Sequence, residues 1–173
     1  MNIRVLIMLS LLVGIGTVLH AAIPGLSIMG VKPDLLLSMM FLGIFLFPKT
    51  KYVLLLSLTS GIVAALTTTA AGGQIANIMD KPISAFVVLA LFLFMKNKVN
   101  DNISAPVLTF IGTVISGSVF TGIVALIASL PEGGFIGLLV TAVLPAAAIN
   151  TVIMVVVYPI VQTIMKRTNL AYN

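Results

Sequence analysis

The chain has 173 residues, 60% of them hydrophobic and 8% charged, with a formal net charge of +5 and a mean hydropathy of +1.26. Such values belong to polytopic membrane proteins and leave no room for a soluble domain between the apolar stretches. Cysteine is absent, which excludes a disulfide framework, a thiolate nucleophile and a cysteine metal site.

Six apolar segments follow one another. Length, charge and proline or glycine punctuation set their limits, because helical periodicity says little where every face meets lipid or protein. The first runs from Ile3 to Ile23. Arg4 ahead of an apolar run resembles a signal peptide, but His20-Ala21-Ala22 offers no clean small-x-small cleavage site, so the segment is read as a retained helix. The second, Asp34 to Phe47, and the fourth, Pro82 to Met95, each span about 14 residues, or ~21 Å of helix against a hydrocarbon core of ~30 Å. Both are preceded or opened by proline, in Lys32-Pro33-Asp34 and Asp80-Lys81-Pro82, a residue suited to a first helical turn.

The third segment, Tyr52 to Ala71, carries small residues at every fourth position: Ser57, Gly61, Ala65 and Thr69. The fifth, Ser104 to Leu130, repeats the pattern with Thr109, Thr113, Gly117, Thr121, Ala125 and Ser129. Ridges of this kind let helix backbones approach closely in lipid, and the longer one puts the fifth helix at the centre of the bundle. The sixth, Gly134 to Met165, adds Ala142, Ala146 and Asn150, with kinks expected at Pro145 and Pro159.

Lysine and arginine give the orientation. With a cytoplasmic N-terminus, Arg4, Lys49, Lys51, Lys96, Lys98, Lys166 and Arg167 face inward and only Lys32 and Lys81 outward. That seven-to-two bias is the positive-inside pattern and accounts for the basic charge without nucleic acid. The expectation is an all-α, multi-pass protein with six transmembrane helices and both termini cytoplasmic. Asp34, Asp80 and Glu132 then lie outside, leaving Asp101 inside. If the inner lysines hold the two short helices at the interface, their outer ends stop below the membrane surface and leave a cavity open to the outside.

Catalytic groups are scarce. His20 is the single histidine, and there is no His-Glu-x-x-His, no Gly-x-Ser-x-Gly and no acidic metal cluster, so neither an enzyme nor a cofactor is expected. The informative residues are the charge pairs Lys32–Asp34 and Asp80–Lys81. A helix N-terminus with a nearby lysine suits a carboxylate, while an aspartate receives an ammonium, so together they suit a zwitterion; alternatively the pairs merely cap helix ends near the surface. Gln74 and Asn77, beside Gly72 and Gly73, read either as ligands on a loop covering the cavity or as a solvated turn. Phe41 and Phe86, below the two helix starts, are candidates for an apolar floor, and Asn150 for a contact with ligand or with a neighbouring helix. Every acid falls near an interface and no nucleotide-binding sequence occurs. The chain is therefore expected to bind a small solute without powering its movement unaided.

Lys32-Pro33-Asp34, Gly73-Gln74-Ile75 with Asn77, Asp80-Lys81-Pro82-Ile83-Ser84-Ala85, Leu144-Pro145-Ala146-Ala147 with Asn150-Thr151, and Tyr158-Pro159-Ile160-Val161-Gln162-Thr163 together resemble the bacterial tryptophan transport protein family. That family in turn resembles the substrate-binding, or S, components of energy-coupling factor (ECF) transporters. The resemblance implies a six-helix protein of the bacterial cytoplasmic membrane that captures tryptophan or a related zwitterion. It further implies an ECF transmembrane coupling subunit and two cytoplasmic ATPases. S components often present an Ala-xxx-Ala surface on the first helix; the nearest match is Ser10-Leu11-Leu12-Val13-Gly14, which makes Ser10 and Gly14 the candidate partner contacts while departing from the pattern. The absence of Trp suits a protein made during tryptophan shortage. The competing expectations are a stand-alone carrier driven by an ion gradient and a non-transporting membrane scaffold or sensor.

Overall fold

Leu-Leu-Leu-Ser-Met-Met-Phe-Leu-Gly-Ile-Phe-Leu, from Leu35 to Leu46, is apolar on all sides, and in the computed structural model every one of its twelve residues is buried. A helix without a polar face belongs in an interior, and at ~18 Å this one is too short to reach both surfaces of a bilayer. The model describes residues 2–22, 34–128 and 134–167. Around α2 (Leu35–Leu46) stand α1 (Ile3–Ala22), α3 (Thr50–Thr67), α4 (Gly73–Met95) and α5 (Asp101–Ala128). A last helical run joins α6 (Gly134–Leu138), a π-helical turn (Leu139–Val143) and α7 (Leu144–Arg167). α2 touches α1, α3, α4, α5 and α7.

The chain is thus an all-α, multi-pass membrane protein. Among the described residues five helical runs are long and apolar enough to cross a bilayer, and α2 is the shorter sixth. The core consists of α2 residues such as Met40, Phe41 and Ile44 packed against Leu9, Leu56, Val88, Leu108 and Met154 of the surrounding helices. Large apolar side chains on the outer faces, among them Ile7, Leu66, Phe94 and Val152, are exposed, as suits faces turned to lipid.

Two expectations are corrected. The fifth helix is not the enclosed one. Its row of small residues marks where a neighbour comes close, which says nothing about how many neighbours surround it. Nor is the fourth helix short: α4 begins at Gly73 and runs 23 residues with Pro82 in its interior, ~34 Å in all. Proline cannot donate to the carbonyl four residues back, yet membrane helices tolerate it where neighbours and hydroxyl side chains serve the backbone nearby. Here the Ser84 hydroxyl donates to the carbonyls of Asp80 at 2.8 Å and Lys81 at 3.4 Å. The helix starts after a tight turn at Gly72, whose φ of 74° is a left-handed conformation that favours glycine. Gln74, Asn77, Asp80 and Lys81 therefore sit on a helix, not on a covering loop, and no helix N-terminus lies at Asp80–Lys81.

With α2 counted and the α6–α7 run taken as one, successive helices alternate in direction, so the ends of α2, α4 and α7 and the start of α5 meet around Leu46, Lys96, Asp101 and Lys166. Arg4, Lys49, Lys51, Lys96, Lys98, Lys166 and Arg167 consequently gather at the end where α1 and α3 begin and α7 finishes. A bond from the Asn2 amide to the Tyr52 hydroxyl, 2.9 Å, ties the first two of these starts together. The opposite end holds His20, Asp34 and the α3–α4 turn.

Candidate substrate site

Asp34 is the N-cap of α2. Its Oδ1 accepts from the Leu37 amide at 2.9 Å, which satisfies an otherwise orphaned helix donor and fixes the carboxylate in place. The other oxygen, Oδ2, accepts from Lys81 Nζ at 2.8 Å, across 47 positions of sequence. Lys81 Nζ also donates to Asp80 Oδ2 at 3.1 Å, and the Ser116 hydroxyl of α5 donates to that same oxygen at 2.7 Å. His20 Nδ1 of α1 stands 3.6 Å from Asp34 Oδ1. Four helices thus converge on one ionic cluster.

Burial makes the cluster costly to build and hard to break. Asp80 is 0% and Lys81 2% exposed, and Asp80 lies ~10 Å inside α4. The expectation that every acid stays near an interface is corrected for this residue. Charges at such depth persist only when paired and hydrogen-bonded. Packing supports the arrangement from behind. A Cβ on Gly61 of α3 would lie 3.2 Å from the Asn77 carbonyl oxygen and 3.5 Å from Lys81 Cβ, so the α3–α4 contact is close here and leaves little room for a larger side chain. Asn77 Nδ2 donates to the carbonyls of Gly73 at 2.9 Å and Ala64 at 3.4 Å, fastening the two helices.

The cluster forms one side of a cavity of about 310 Å³, a size typical of small-molecule sites. Leu37, Phe120, Leu138 and Val143 supply apolar walls; Thr67, Thr68, Thr69, Thr113 and Thr121 supply hydroxyls. The π-helical turn contributes Ala142 and Val143, consistent with the tendency of such turns to occur at functional sites. With both aspartates ionised and His20 neutral, two carboxylates face one ammonium and the cluster carries a net charge of −1. Asp80 Oδ1 is buried and has no hydrogen-bond partner among the described residues.

Of the residues singled out in the sequence, Asp34, Asn77, Asp80 and Lys81 meet at the cavity. Lys32 and Glu132 lie outside the described residues. Gln74 is exposed and away from the cavity. Phe41 is fully buried in the core, and Phe86 packs against the core from a partly exposed face of α4; neither lines the cavity. Asn150 is buried behind the wall, where its Nδ2 donates to Thr113 Oγ1 at 3.3 Å. Ser10 and Gly14 flank a separate apolar groove between α1 and α3.

His20, Ser116, Phe120 and the threonines of α5 were not assigned to the site from the sequence. The row Thr113, Gly117, Thr121 carried the available signal, read as packing alone, whereas the face that bears it both packs and lines the cavity. A second cavity of about 300 Å³ opens at the lysine-rich end among Phe45, Phe92, Lys96, Asp101, Tyr158 and Gln162. Among the described residues no group of three His, Asp or Glu side chains is placed to hold a metal ion.

The family model described as Tryptophan transporter TrpP matches residues 2–166. The chain is 47% identical over 169 residues to the probable tryptophan transport protein of Bacillus subtilis (strain 168), covering 98% of this chain and 96% of the relative. It is 37% identical over 166 residues to a protein of the same description from Clostridium acetobutylicum, covering 96% of each. A third, from Clostridium perfringens (strain 13 / Type A), is 34% identical over 178 residues, covering 98% and 97%. No solved structure matches the chain significantly.

Proposed function

The chain belongs to the tryptophan transporter family, and from that premise we propose that it binds tryptophan in the cavity beside Asp34, Asp80 and Lys81 and carries it across the cytoplasmic membrane. The observation that carries the site is the juxtaposition of a buried ionic cluster with apolar walls in one cavity. Such a cavity offers charge to the zwitterionic end of an amino acid and a dry surface to a large side chain. Seven basic residues gathered at the opposite end support an outward-facing cavity and cytoplasmic termini.

For energy, the resemblance to S components supports a subunit that works with an ECF transmembrane coupling subunit and two cytoplasmic ATPases. In this reading the groove beside Ser10 and Gly14 is where the coupling subunit is expected to dock. A second reading, a stand-alone carrier driven by an ion gradient, is favoured by Asp80, because ionisable groups at membrane depth commonly mark ion pathways. Uptake of tryptophan by vesicles containing only this protein separates the two. Uptake driven by an imposed gradient and abolished by an uncoupler supports the carrier; uptake that requires ATP and the added subunits supports the S component. Purified protein that binds tryptophan no better than other amino acids sinks the substrate assignment, and no saturable binding at all leaves a scaffold or sensor.

A further inference from the structure

We infer that the site takes hold of its ligand by the ammonium group, on Asp80, and that Lys81 is an internal counter-ion rather than the partner of the ligand's carboxylate. The inference rests on the transport reading above and goes beyond it in naming the chemical group that is recognised.

The starting expectation from sequence was symmetrical, with a lysine for the carboxylate and an aspartate for the ammonium. The geometry breaks that symmetry. Lys81 Nζ already has two carboxylate partners, at 2.8 Å and 3.1 Å. Asp34 is likewise committed: one oxygen caps α2 and faces His20, the other holds Lys81. Asp80 is half committed. Its Oδ2 takes Lys81 and Ser116, while its Oδ1, buried in a cavity-lining residue, takes nothing among the described residues.

A buried acceptor without a donor is an incomplete site. The donor that completes it is also set by charge. With both aspartates ionised, a ligand carboxylate brought to this cluster takes its net charge from −1 to −2, whereas an ammonium brings it to zero. Unlike charges attract more strongly where burial withdraws them from water, as it does Asp80. The ligand's N–H groups therefore belong on Asp80 Oδ1, which is fully covered in this structure and is reached when the Asp80 side chain turns toward the cavity. The ligand's carboxylate is left to the hydroxyl-bearing rim at Thr68 and Thr69, where solvent shares in its solvation.

The test uses the unaltered protein and three ligands: tryptophan, tryptamine, which lacks the carboxylate, and indole-3-propionate, which lacks the amine. Equilibrium binding is measured for each at one pH where both amines are charged. Tryptamine is expected to stay within about tenfold of tryptophan, and indole-3-propionate to bind roughly 30-fold or more weakly, the usual loss when a buried charged hydrogen bond goes unmade. Equal losses for the two analogues, or a larger loss for tryptamine, overturn the inference while leaving tryptophan transport intact. Failure of tryptophan itself to bind overturns the transport reading and this inference with it.

Discussion

Lys81 Nζ and Asp34 Oδ2 are 2.8 Å apart, and through that bond the middle of α4 is fastened to the cap of the enclosed helix α2. The same lysine holds Asp80 at 3.1 Å. The ionic cluster therefore serves both as a wall of the cavity and as a clasp between the two helices that frame it. Each role can be separated from the other by substitution.

Replacing Lys81 by methionine leaves the buried Asp80 carboxylate and the partly exposed Asp34 carboxylate with no cation between them. Removing one partner of a buried pair typically costs about 3–5 kcal/mol, and K81M is expected to lose that much in thermal or denaturant unfolding in detergent. Adding Asp34→Asn to K81M should restore part of the loss, since one of the stranded charges is gone. A double variant no more stable than K81M alone argues against the pair as a clasp.

Asp80→Asn keeps the shape of the side chain and an oxygen for Ser116 and Lys81, so the fold should survive it. Tryptophan affinity is expected to fall by roughly 30-fold or more. Calorimetric titration of the folded variant checks this. If D80N and K81M both bind tryptophan within about twofold of the parent, the assigned site is wrong.

Phe120 and Phe41 make a paired control. Phe41 is 0% exposed within the core, and Phe41→Ala should cost about 3–5 kcal/mol of stability. Phe120 lines the cavity and is only partly buried; Phe120→Ala should weaken tryptophan binding by about tenfold, as loss of one apolar contact surface predicts, with a small change in melting temperature. The reverse assignment of effects would place the indole elsewhere.

Gly61→Val probes the support behind the site. Its side chain meets the backbone of α4 at Asn77 and Ile78, so α3 must move away, at a cost of about 1–3 kcal/mol. Because Lys81 stands on the same turn, tryptophan affinity should drop alongside stability. A stable variant with unchanged affinity shows that the α3–α4 contact does not position the cluster.

Much of this was legible without coordinates. Continuous apolarity in six stretches requires membrane helices, because a backbone in lipid must bond to itself, and the lysines and arginines sort to one end by a rule that needs only their order along the chain. Asp34, Asp80 and Lys81 stood out for the same local reason, as polar residues among apolar neighbours that have to be accounted for. Pro82 is the exception: proline often marks a helix start, but here it stands in a helix interior, and α4 continues back to Gly73.

What only the tertiary structure decided is which groups meet. Asp34 pairs with Lys81 across 47 positions, Ser116 reaches Asp80 across 36, and Phe41 turns into the core rather than the cavity. Hydropathy and charge are properties of a segment and survive in the sequence. The rotation of one helix against another is settled by packing over its whole length, at contacts such as Gly61 on Asn77, and it is that rotation which brings two acids, one lysine and an unpartnered oxygen into a single cavity.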